Sequence, residues 1–160
     1  MLLRGLALAG ANERKGGGDD DGILTAMEAQ DLNLEGVELV VLSACDTARG
    51  DMPTAGEGVM GLVRGFRAAG ARSVVASLWS VDDRATRRLM EGFYSRAFAK
   101  EGALPPAVAL RDAALALRDA EVEVVDPRAS LLAGKEVKVK KRPFAAPRHW
   151  AAFLAYGPIR

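Results

Sequence analysis

The chain has one cysteine and one histidine, Cys45 and His149. A thiol and an imidazole are the side chains best suited to nucleophilic and proton-transfer chemistry near neutral pH. Together they could make a cysteine nucleophile, in which the imidazole lowers the thiol pKa and then protonates the leaving amine. Such a centre also needs backbone N–H donors where the tetrahedral oxyanion forms, each worth about 3–4 kcal/mol in a serine-protease case. Cys45 can supply the thiol, and its own N–H can be one of those donors. The plainer use of Cys45 is as a small buried hydrophobe, the fate of most free cysteines. Residue type alone leaves both uses open. A zinc site is disfavoured, because one Cys and one His leave two of four positions unfilled. No metal or other cofactor is expected.

The element that positions the thiol is legible. Leu39, Val40, Val41 and Leu42 form a short apolar block rich in β-branched residues, which suits a strand covered on both faces, as in a parallel sheet. Ser43 and Ala44 follow, then Cys45, then the turn-prone Asp46-Thr47-Ala48-Arg49-Gly50. Ligands in open α/β sheets bind at the carboxyl ends of the strands. A cysteine there faces the crevice.

The remaining elements can be placed in order. Gly5 to Ala9 reads as an edge or hairpin strand. Asn12 to Gly22, with Asp19, Asp20 and Asp21, reads as a solvated acidic loop, because a calcium loop alternates its ligands and ends on a distant glutamate. Thr25 and Glu28 form a capping-box pattern for a small helix ending near Leu32. A helix is expected over Glu57 to Ala69, with Val59, Leu62, Val63 and Phe66 facing the core and Gly70 as its C-cap. Gly58, Gly61 and Gly65 thin one face of it, which would let it lie close to the sheet. Glu57 reads as a cap for the same helix. Ser73 to Leu78 is the next buried strand, followed by a helix opening at Asp82 and another over Pro105 to Ala120. In that last helix Ala107, Leu110, Ala114 and Leu117 make the apolar stripe. Residues 121–148 read as an exposed hairpin with a charged face, or as an insertion by the resemblance given below. Trp150 to Tyr156 is the closing strand.

Composition sets outer limits. At 160 residues the chain fits one domain, and 49% apolar with 27% charged residues is globular. The net charge of +1 gives no general pull toward nucleic acid. The lysines and arginine at 135–142 lack an aromatic platform for bases, so an exposed hairpin face is the better reading. No apolar run reaches the roughly 18 residues of a membrane span, and neither nucleic acid nor membrane is expected as a partner. A lone cysteine cannot make an internal disulfide, so a reducing cytoplasmic setting is the natural one.

SACDTARG, then GEGVMGLVRGFRAAGARSVVASLWSVDD, then HWAAFLAYG resembles the C-terminal half of a CHAT domain. That family of caspase-like cysteine peptidases is related to separase, clostripain and gingipain and is often fused to TPR repeats. The similarity covers about Gly5 to Gly157, so the whole chain reads as the C-terminal part of one such domain. The resemblance implies an α/β fold, a three-layer α/β/α sandwich with a mostly parallel sheet, lacking the strands that carry the catalytic histidine. It implies a cysteine endopeptidase with Cys45 as nucleophile and a protein or peptide as substrate. In the clan the histidine comes from an upstream His-Gly turn, about 50 residues before the cysteine in caspases. No histidine precedes Cys45 here. The implied partners are therefore the upstream half of the domain and TPR repeats, and the chain by itself is expected to be inactive. The alternative is a catalytically silent interaction module.

The separase-like pattern Leu-Trp-x-Val-x-Asp is matched by Leu78-Trp79-Ser80-Val81-Asp82-Asp83. By that resemblance Asp83, with Asp82, Trp79 and Ser77, lines a pocket for a basic side chain before the scissile bond, where a carboxylate and an arginine would form a bidentate pair. The structural alternative for both acids is capping of the helix behind them. If the last strand is antiparallel, as the resemblance implies, His149 begins at the same sheet edge as Cys45. Two strands still separate them by about 10 Å, beyond hydrogen-bond reach. Packing or surface hydrogen bonding is the expected use of His149.

Overall fold

Val74, Val75, Ala76 and Ser77 are all buried, and the strand they form is the centre of the fold. The computed structural model describes residues 5–9, 11, 22–43 and 55–158, with side chains from residue 58 onward in the last stretch. Along the chain the strands are β1 (Gly5–Ala7), β2 (Ile23–Thr25), β3 (Val40–Leu42), β4 (Val74–Ser77), β5 (Val122–Val125), β6 (Lys138–Lys141) and β7 (Phe153–Tyr156). The helices are α1 (Ala26–Gln30), α2 (Ala55–Ala68), α3 (Asp83–Ala97), α4 (Pro106–Asp119), α5 (Pro127–Ala133) and α6 (Pro147–Trp150).

The central sheet has the order β3-β4-β7. β3 runs parallel to β4 with Val40 opposite Val74 and Leu42 opposite Ala76. β7 runs antiparallel to β4, with Ser77 opposite Phe153. The sheet is thus mixed among the described residues, one parallel and one antiparallel pairing, where a mostly parallel sheet was expected. The antiparallel closing strand is as expected.

Side-chain alternation along β3 and β4 divides the core between two helical layers. Val74 and Ala76, with Val40 and Leu42, pack against α1 and α2 through Ala29, Leu62, Val63 and Phe66. Val75, with Leu39 and Val41, packs against α3 and α4 through Leu89, Phe93, Leu110 and Leu117. Fully burying one such Leu or Phe is worth about 1.5–3 kcal/mol, so the sheet is held from both faces.

Local signals explain the helix ends. Thr25 Oγ1 accepts from the Glu28 N–H at 3.2 Å, and the Glu28 carboxylate accepts from the Thr25 N–H at 2.7 Å, a complete capping box on α1. α2 closes as expected at Gly70, whose φ of +110° suits glycine. The Ala71 N–H donates to the Phe66 carbonyl at 3.1 Å and Gly70 to Arg67 at 3.2 Å, the paired bonds of a Schellman end. The thinned face of α2 meets α1 rather than the sheet. A Cβ on Gly65 would stand 2.5 Å from the Ala26 carbonyl oxygen, and one on Gly61 would be 3.6 Å from the Ala26 Cβ.

The core-facing residues of α4 are Ala109, Leu110, Ala113 and Leu117. Ala114, expected in that stripe, packs partly buried against the same core, whereas Ala107 does not, and both line a groove along β7. Residues 121–148 do form a hairpin, β5 against β6 in antiparallel register from Val122–Lys141 to Val125–Lys138. The connection holds α5, capped by the Asp126 carboxylate on the Arg128 and Ala129 N–H groups at 3.0 Å. The sequence reading also missed α6. Pro147 at its first turn shortens the expected closing strand to Phe153–Tyr156.

Candidate active site

The parallel register of β3 and β4 brings their carboxyl ends level. Leu42 ends β3 and Ser77 ends β4 one residue beyond the register partner of Leu42, Ala76. The Ser77 hydroxyl, in a residue only 6% exposed, donates to the Leu42 carbonyl oxygen at 3.5 Å and laces the two ends together. Because β7 is antiparallel, its amino end arrives at this same edge. The Leu78 N–H donates to the Ala152 carbonyl at 2.7 Å. Three strand ends therefore meet at one rim.

Trp79 follows directly and is 40% exposed. Its indole Nε1 donates to the Arg148 carbonyl at 3.1 Å, joining the β4 end to α6. Asp82 is the N-cap of α3, its Oδ1 accepting from the Arg84 and Ala85 N–H groups at 3.1 Å each. Asp83 occupies the first turn of α3 and is exposed at the same rim. Ser77, Trp79, Asp82 and Asp83 thus follow one another from the end of β4 into the first turn of α3. Asp82 has its capping role filled by geometry, and Asp83 presents its carboxylate to solvent beside the helix N-terminus. Cys45, three positions after Leu42 in the sequence, lies outside the described residues, as do the acidic run Asp19–Asp21 and the turn after the cysteine.

His149 is carried by α6, next to the rim. Its Nε2 accepts from the Arg148 Nε at 3.2 Å, and its ring meets Phe144 edge-on with centroids 5.9 Å apart. Phe144 is buried and also lies under the Arg88 guanidinium, 5.5 Å from its centroid. Packing and surface hydrogen bonding, the uses expected of this histidine, are the ones it has. Among the described residues no three His, Cys, Asp or Glu side chains cluster to hold a metal ion. No helix among them is long and apolar enough to cross a membrane.

Residues 2–158 match the CHAT domain family. The chain belongs to that family. It is 30% identical over 135 residues to mouse tetratricopeptide repeat protein 28, covering 84% of this chain and 4% of that protein. The human protein of the same name is 29% identical over 137 residues, again covering 84% of this chain and 4% of its own length. This CHAT domain therefore spans only a small part of the relatives it matches. No solved structure matches it.

One contributor to the rim escaped the sequence reading. The Arg148 carbonyl anchors Trp79 only because α6 turns the chain there, and the signal was the Ala146-Pro147 step, which favours a helix start.

Proposed function

We propose that this CHAT domain segment is the nucleophile-bearing half of a caspase-like cysteine endopeptidase. Cys45 attacks the scissile carbonyl, and its backbone N–H is one donor to the oxyanion. Asp83 receives a basic side chain on the amino side of the cleaved bond, with Trp79 and Ser77 shaping the wall. The imidazole that activates Cys45 comes from another stretch of polypeptide, preceding this one or in a separate chain. The protein substrate and any tetratricopeptide-type repeats are its partners.

One observation carries the reading. The β4-to-α3 turn delivers Ser77, Trp79 and Asp83 to the rim where β3, the strand leading to Cys45, ends. An exposed first-turn carboxylate that caps nothing is available to a guanidinium, whereas Asp82 is committed to α3.

Labelling of Cys45 by iodoacetamide across pH tests the nucleophile. The reading expects slow labelling of the isolated chain with an ordinary thiol titration near about 8.5, shifting well lower when a preceding histidine-bearing fragment is added. Slow labelling under both conditions overturns it.

A second reading has a specific observation in its favour. The chain's single imidazole is engaged by Arg148 and Phe144. On this reading the domain is a catalytically silent interaction module that docks through the same rim, and the labelling experiment separates the two.

A further inference from the structure

β5 and β6 pack chiefly on each other, so among the described residues their hairpin stands out from the core, with α5 as its tip. One side of α5 is tied to the hairpin. The Ser130 hydroxyl accepts from the Val137 N–H at 2.9 Å, and Ala129 and Ser130 are half-buried. The other side carries Leu131 and Leu132, which are 84% and 83% exposed, more than any other large apolar residue described.

Cations flank this pair. Arg128 lies three and four positions before the leucines, the spacing of one helical turn, and Lys135 lies three and four positions after them. Neither cation forms an ion pair among the described residues. The carboxylates nearest in sequence are already committed. Asp126 accepts from the Arg128 and Ala129 N–H groups, and Glu136 lies 3.7 Å from the Lys138 Nζ. Over residues 121–142 six cations stand against four carboxylates, so the free charge beside the leucines and the surplus of the whole arm are both positive.

Two leucines cover only a small part of the about 800 Å2 that each partner gives to a stable protein interface. A lipid surface asks for less. It conforms to a projecting tip, takes aliphatic side chains at the acyl boundary, and draws flanking Lys and Arg to anionic headgroups. The expectation of no membrane partner came from the lack of a spanning run, and a contact at the interface needs no span.

We propose that the tip of the β5–β6 hairpin is a peripheral membrane contact for anionic lipid. Leu131 and Leu132 enter the boundary between headgroups and acyl chains, and Arg128 and Lys135 lie on the anionic groups above it.

The probe is a suspension of phosphatidylcholine vesicles with about 30 mol % phosphatidylserine, mixed with the full 160-residue chain and separated by flotation. Vesicles of phosphatidylcholine alone are the comparison. The chain should partition several-fold more strongly onto the anionic vesicles, and less so as salt is raised. Leu131→Ser combined with Leu132→Ser should lower partitioning by about tenfold or more, and Arg128→Gln and Lys135→Gln by about fivefold each. All four side chains already face water, and circular dichroism verifies that the variants fold. The cation variants decide the matter if the leucine variant does not fold. No flotation, equal flotation with both kinds of vesicle, or unchanged flotation of the leucine variant overturns the proposal. So does a dimer that excludes vesicles and that the leucine substitutions dissolve, which would make a second copy the occupant.

Discussion

The indole Nε1 of Trp79 donates to the Arg148 carbonyl oxygen at 3.1 Å across 69 positions of sequence. This bond, with Leu78 on Ala152, pins the start of β7 and the helix before it to the end of β4. Trp79→Phe keeps the ring surface and removes the donor. The Arg148 carbonyl is near solvent, so water replaces part of the loss and the expected cost is about 0.5–1.5 kcal/mol. Hydrogen exchange of residues 148–152 should quicken in the variant while β3 exchange stays unchanged. Equal exchange in both proteins would mean that the bond does not hold α6.

Gly61 and Gly65 lie one turn apart on α2 and should respond to alanine with opposite signs. A Cβ at residue 61 meets the Ala26 Cβ at 3.6 Å, an ordinary contact, so Gly61→Ala should gain about 0.5–1 kcal/mol from helix propensity. At residue 65 it meets the Ala26 carbonyl oxygen at 2.5 Å and the Ala29 Cβ at 3.1 Å. Relief requires α1 to move, at a cost of about 1–3 kcal/mol. Urea midpoints of the two variants check the contrast, which comes from helix–helix contact rather than from glycine as such.

Much of this frame was legible because its signals are local. Thr25 and Glu28 specify a cap within one turn, and Gly70 marks a helix end whatever α2 packs on. The buried run at 74–77 has no polar member that could face water except the laced Ser77. The partner of the α2 glycines could not be read, since a thin helix face does not say whether a sheet or another helix lies against it. α5 was signalled by Asp126-Pro127 and Gly134, but the alternating Lys and Val residues that follow favoured reading the whole segment as strands. At the rim, the helix-capping alternative put both acids at the opening of α3, where they stand. Which of the two is the cap depends on a φ of −55° and ψ of 133° at Asp82, and residue type does not distinguish neighbouring aspartates.

The β5–β6 hairpin should respond to acid through Glu121. Lys140 Nζ lies 3.2 Å from this carboxylate and Arg142 Nη2 3.4 Å. First Lys140 and then Arg142 hold it below the ordinary glutamate range. A depressed folded pKa means that the stabilisation is present above the unfolded value and fades as pH falls through the folded one. Amide exchange in residues 122–125 and 138–141, corrected for intrinsic rate, should rise as pH drops from about 6 to about 3. Glu121→Gln should flatten that response, and added salt should shrink it because the groups are exposed.

Asp82 and Asp83 separate a structural from a recognition role at adjacent positions. Asp82→Ala deletes the acceptor for the Arg84 and Ala85 N–H groups, and loss of such a cap costs about 0.5–2 kcal/mol. Asp83→Ala removes a first-turn charge that makes none of those bonds, so only a few tenths of a kcal/mol of helix-dipole stabilisation is lost. Urea denaturation should therefore rank Asp82→Ala well below Asp83→Ala. The order should invert for recognition. With a histidine-bearing fragment restoring activity, peptides with Arg or Lys before the cleaved bond should lose their advantage over neutral analogues in Asp83→Ala, through a fall in kcat/KM confined to the basic series. Asp82→Ala, assayed where it is still folded, should keep the preference. A preference unaltered by Asp83→Ala would leave both acids as helix-end residues and remove the basic pocket from the proposed peptidase.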